Sequence, residues 1–229
     1  MIDPTAREGA KCHFREACCT SLEAVQAAWR TGARRIELCE RLDVGGVTPS
    51  DTLLQEVLDW TRQAQIPEDG GSPLPVHVLV RPRGGNFVYN AAEVNAMLES
   101  IARSRALGAR GVVIGALTPE GAVDLPVMHR LMAAAEGLSV TFHRAFDETA
   151  DPVAALEDII ALGCTRLLTS GHAPDAYTGR EMIGTLVSRS AGRLVILAGC
   201  GVRPGNITAI ARDSGAPEFH SSCISPDWP

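Results

Sequence analysis

The chain has 229 residues, 45% hydrophobic and 21% charged, ordinary globular proportions that exclude a disordered chain, a coiled coil and a collagen-like repeat. Lys and Arg total 21 against 27 Asp and Glu, a formal net charge of −6, so no basic face suited to general nucleic-acid binding is expected. No apolar run reaches the ~18 residues of a membrane span, and the opening MIDPTAREGAKCHFREA lacks the apolar core of a secretory signal, so no membrane partner and a cytoplasmic setting are expected.

Residues 1–11 read as a flexible tail and residues 12–229 as a single domain, with no break in composition. Strands are expected near Phe14–Cys18, Arg35–Cys39, Val76–Arg81, Gly111–Ile114, Val140–His143, Arg166–Thr169, Leu194–Ala198 and Glu218–Ser221. Helical patterns fill the intervals. The first follows Ser21 as N-cap, the second follows Ser50 or Asp51, and the fifth has Asp151 before Pro152 at its first position. The stretch IPEDGGSPLP (66–75) reads as a surface loop.

A phrase recurs along the chain: a helix, then Gly-Ala or Gly-Cys, then a strand, as in TGARRIEL, LGARGVVI, LGCTRLLT and SGAPEFH. Each Gly falls where a helix end asks for positive φ. Eight strands alternating with helices read as a (β/α)₈ TIM barrel, with a doubly wound open sheet as the alternative. Only seven residues follow Ser222, too few for an eighth helix of ~10 residues. The groove beside the last and first strands is therefore expected to expose apolar surface.

In a barrel the chemistry lies at the C-terminal ends of the strands. The polar residues at those ends are Glu16 and Cys18, Glu37 and Cys39, Arg81 and Arg83, His143, and His220. The two-residue strand period puts Glu16 on the face of Cys18 and Glu37 on the face of Cys39. That brings two thiols and two carboxylates to one pocket. Two thiolates suit Cu(I) better than a hard cation, although each cysteine also fits as a small buried hydrophobe. The other cysteines, at 12, 19, 164, 200 and 223, read as structural, and no CxxC pair occurs.

Arg81 and Arg83 are expected on one face, suited to a carboxylate or phosphate, with Glu16 or Glu37 as the alternative partners. Glu16, Glu37, His143 and His220 are the candidates for acid–base work. The turn Gly199–Cys200–Gly201 within AGCGVRPGN offers backbone N–H groups to an anion, and TSGH at 169–172 offers a similar turn. No organic cofactor is expected.

Several segments together resemble the CutC family of copper homeostasis proteins: REACCTSLEAVQAA (15–28), GARRIELCERLDVGGVTPS (32–50), RPRGGNFVYN (81–90), VTFHRAFDETADP (140–152), RLLTSG (166–171), AGCGVRPGN (198–206) and EFHSS (218–222). The resemblance covers about residues 14–222. It implies a TIM barrel, a cytoplasmic location (nuclear also in animals), a homo-oligomer such as a dimer or tetramer, and a role in copper homeostasis, with Cys18 and Cys39 as the Cu(I) ligands. An uncharacterised enzyme acting on a small anionic substrate is the rival expectation. The sequence departs from the family pattern at Cys19-Thr20, in the length of the 66–75 loop and after residue 222, where the family has its eighth helix.

Overall fold

The computed structural model describes residues 13–66 and 72–222. The tail expected over 1–11, residues 67–71 of the expected loop and everything after Ser222 lie outside the described residues. The flanks of that loop, β3 (Gln65–Ile66) and β4 (Ser72–Pro73), form a short antiparallel pair rather than irregular chain.

Eight parallel strands close into a barrel: β1 (Phe14–Cys19), β2 (Arg35–Leu38), β5 (Val76–Leu79), β6 (Gly111–Ile114), β7 (Ser139–Phe142), β8 (Arg166–Thr169), β9 (Val195–Ala198) and β10 (Glu218–Ser221), with β10 returning to β1. The barrel decides against the open doubly wound sheet. All eight expected strands form, with ends displaced by a residue or two. Strand β5 stops at Leu79, two residues before Arg81.

Seven α-helices surround the barrel among the described residues: α1 (Leu22–Arg30), α2 (Asp51–Thr61), α3 (Ala91–Leu107), α4 (Leu125–Ala134), α5 (Pro152–Ala161), α6 (Arg180–Ser190) and α7 (Ile207–Ser214). Ser21, Ser50 and Asp151 cap the helices assigned to them, each side chain accepting a first-turn N–H. Asn90 and Glu93 form a capping box on α3. The four glycines in the recurring phrase, at 32, 108, 163 and 215, all have positive φ, between 67° and 98°. A side chain there would be strained, so each lets a helix end and the chain turn into a strand.

Strand alternation sorts the residues into two layers. Outward positions such as Ile36, Val78, Val112, Phe142, Leu167 and Ile196 join the helices' apolar faces in one continuous core. The apolar exposure expected beside the last strand is not found among the described residues: Phe219 is 1% exposed and Ala17 7%. The His13 ring packs edge-on against Phe219 at 5.1 Å. Inward positions are largely polar, and they build the site.

Candidate functional site in the barrel mouth

Strand register sets the inner contacts. Glu16 lies opposite Arg35 on β2 and His220 on β10, while Cys18 lies opposite Glu37. At the N-terminal end of the barrel, Arg35 pairs with both Glu16 and Glu218, and Arg166 Nε donates to Glu218 at 2.8 Å. Arg166 Nη1 donates to the Ser139 hydroxyl at 2.8 Å. Every charge here has an opposite partner. Burial alone would raise the Glu16 pKa, but Arg35 and His220 hold it well below the usual carboxylate range. His220 Nδ1 donates to Glu16 at 2.7 Å. Burial lowers the His220 pKa, yet the Glu37 and Glu16 charges win and raise it.

Above this layer, Cys18 and Cys39 bring their sulfurs to 3.5 Å, and Cys18 Sγ donates to Glu37 Oε1 at 3.7 Å. One donor atom from each of Cys18, Glu37 and Cys39 lies within 4.8 Å of the others. All three residues are buried. Burial pushes the Glu37 carboxyl up to about 6. Its Oε2 is buried with no partner. The Cys18 thiol is raised well above its ordinary value, first by its hydrogen bond with Cys39, then by burial and the Glu37 charge.

These groups form the floor of a cavity of about 760 Å³ at the C-terminal end of the strands, which Arg81, His143, His220 and Gly201 also line. Three sequence candidates sit elsewhere. Glu16 lies in the layer below. Gly199 is outside the lining, and a Cβ there would meet Leu168 at 2.4 Å, so this glycine serves close packing. Arg83 does not share a face with Arg81, because the strand has already ended at Leu79 and the two-residue period no longer applies. Arg83 donates instead to Glu93 at 2.6 Å and to the Asn86 and Val88 carbonyls, with its guanidinium over the Tyr89 ring. Neither arginine pairs with Glu16 or Glu37.

Arg81 is 6% exposed. Its guanidinium donates to the Val44, Gly46 and Gly85 carbonyls at 3.0, 2.9 and 2.6 Å. His143 Nδ1 accepts the Ala145 N–H at 3.2 Å, and a Cβ on Gly115 would meet the ring at 2.6 Å. A missing side chain on β6's extension therefore makes room for the imidazole. Burial, with the Arg81 charge second, pushes the His143 pKa down to about 3.

The TSGH turn is not an open anion cradle. The Asp147 carboxylate fills it, accepting from the Ser170 N–H and hydroxyl, the His172 N–H and the Thr169 hydroxyl. Sequence reasoning also passed over Arg35, Glu218 and Phe87. The first two were within reach, since Arg35 is two residues before Glu37 and Glu218 two before His220, on the same inner face. Nothing local marks Phe87, which reaches the cavity from the loop after β5.

Fold and site define a TIM-barrel protein whose mouth holds a cavity floored by two thiols and a carboxyl group. The chain belongs to the CutC family, whose model matches residues 13–225. A family protein CutC of Bacteroides thetaiotaomicron is 47% identical over 207 residues, 90% of this chain and 79% of that one. The Pasteurella multocida protein of the same name is 44% identical, over 90% of this chain and 80% of its own length. The crystal structure of a CutC protein from Streptococcus agalactiae, named for copper homeostasis, superposes with a TM-score of 0.86 at 32% identity, covering 93% of this chain and all of that one. A deoxyribose phosphate aldolase from Aeropyrum pernix reaches 0.66 at 13% identity, covering 92% of this chain and 86% of that one, a likeness of fold alone. No helix among the described residues is long and apolar enough to cross a membrane.

Proposed function

We propose that this chain binds Cu(I) as cargo in copper homeostasis, through the Cys18 and Cys39 thiolates. The observation that carries the reading is the pair of buried sulfurs 3.5 Å apart at the cavity floor. Soft thiolates in a low-coordination site suit Cu(I) over hard cations. The Glu37 Oε2, buried with no partner, is a further donor beside them. The residues fit the ion. Ligation requires the thiols to lose their protons, so binding releases protons and strengthens as pH rises. Glu37 Oε1, which already accepts from Cys18, stands where that thiol's proton would pass. The ion's charge removes the penalty that keeps the Cys18 thiol protonated.

Cu(I) competition against a chromogenic chelator, under anaerobic reducing conditions, tests this. The expected result is one ion per chain, lost in Cys18→Ser and in Cys39→Ser. Binding should survive when Cys12, Cys19, Cys164, Cys200 and Cys223 are replaced together. Weak binding spread over all the thiols would sink the reading.

A further inference from the structure

We infer that the mouth holds a second site, separate from the thiols, in which Arg81 and His143 bind the carboxylate of a small organic acid. Arg81 is the starting point. It is a buried cation on the cavity wall with no ion pair among the described residues, unlike Arg35 and Arg166 on the barrel floor. Glu37, Asp147 and Glu148 also line the cavity, but none pairs with it, and Asp147 is committed to Arg144 and the β8 turn. The carbonyl dipoles, the Phe87 ring face and the neighbouring Tyr89 hydroxyl carry no counter-charge, and a buried charge without one is costly. An anion entering the cavity supplies the counter-charge.

A guanidinium has five N–H donors. Three serve the Val44, Gly46 and Gly85 carbonyls, and Nε is buried with no partner. His143 adds a further donor. Its Nδ1 accepts from Ala145, which places the ring proton on Nε2, and Nε2 is buried with no partner. The ring is neutral at ordinary pH because burial disfavours its charged form. Both side chains pack on Phe87, the guanidinium carbon 4.8 Å and the imidazole 4.9 Å from its ring centroid. They are held in place before any ligand arrives.

The chemistry of the wall selects the ligand. One buried cation with few free N–H groups matches a monoanion rather than a phosphate dianion. Leu42, Leu79, Leu168 and Pro174 also line the cavity and suit a hydrocarbon portion. The inference does not depend on copper.

The test uses the full chain, metal-free and reduced. Butyrate, benzoate, their neutral amides and inorganic phosphate are titrated by calorimetry, and the histidine nitrogens are followed by NMR. The expected result is saturable binding of a carboxylate at one site per chain, no binding of the amides, and a shift of the His143 Nε2 resonance. Arg81→Met and His143→Gln should each weaken binding about tenfold or more, the size of a lost hydrogen bond to a charged group. If Arg81→Met fails to fold, His143→Gln and the wild-type NMR decide. Absence of saturable binding by either carboxylate, equal binding of the amides, preference for phosphate, or unchanged affinity in a folded variant would each overturn the inference.

Discussion

The two ends of the barrel interior carry similar residue types and use them in opposite ways. On the floor, Glu16, Arg35, Glu218 and Arg166 pair with one another, and each charge is matched. At the mouth, Arg81, Glu37 and His143 are equally buried, yet each keeps a polar atom without a partner. Unmet polar atoms also occur deeper in the barrel, at His77 Nδ1 and Thr141 Oγ1, but there the charged groups are ion-paired, whereas Arg81 at the mouth has no ion pair among the described residues. The contrast therefore separates ion pairs that hold the barrel together from the unpaired cation at the mouth.

Arg35→Met is the harshest way to test that separation. It leaves Glu16 and Glu218 buried without their shared cation and should cost about 3–5 kcal/mol in urea unfolding. Arg81→Met should cost clearly less, because losing an uncompensated charge offsets the lost bonds to three carbonyls. Equal costs for the two variants would erase the distinction between floor and mouth.

Acid is the next probe. His77 and His143 are each pushed down by burial from 6.5 to about 3. The unfolded chain then binds more protons than the fold below pH 6.5, so stability falls as the pH drops through that window. Each ring contributes a slope of about 1.4 kcal/mol per pH unit. Glu37, raised from 4.5 to about 6, has the opposite sign between those values and offsets about one ring there. Denaturation midpoints measured from pH 6.5 down to 4.5 should decline, and His143→Gln should flatten the decline. A level profile would mean that only one of the two rings stays neutral in the fold, its slope matched by Glu37, and a rise towards acid that neither does.

The smallest effect belongs to Arg83→Ala. Its pair with Glu93 is partly exposed, so the loss should be about 1 kcal/mol or less in thermal unfolding. Carboxylate affinity should not change. A large loss of affinity would return Arg83 to the site from which the end of β5 removes it.

Much of this was legible in the chain. The alternation of strands and helices, with a glycine closing four of the helices, pointed to the barrel and located its eight strands to within a residue or two. The inner-face period put Cys18 with Glu37 and Cys39. What local pattern could not give was anything beyond a strand end. Arg81 and Arg83 look equivalent in RPRGG, but the backbone leaves the strand at Leu79 and sends their side chains to different neighbours. Partnership across the barrel was also hidden. Glu218 is 183 residues from Arg35, and only closure of β10 against β1 brings them together.

After the sixth barrel strand this chain inserts its own Asp147 carboxylate against the turn's N–H groups, backed by Arg144 at 2.9 Å. That side chain is a tethered competitor, present at an effective concentration no free solute approaches. An incoming phosphate would meet a resident rival, so the turn is closed to it by prior occupation rather than by shape.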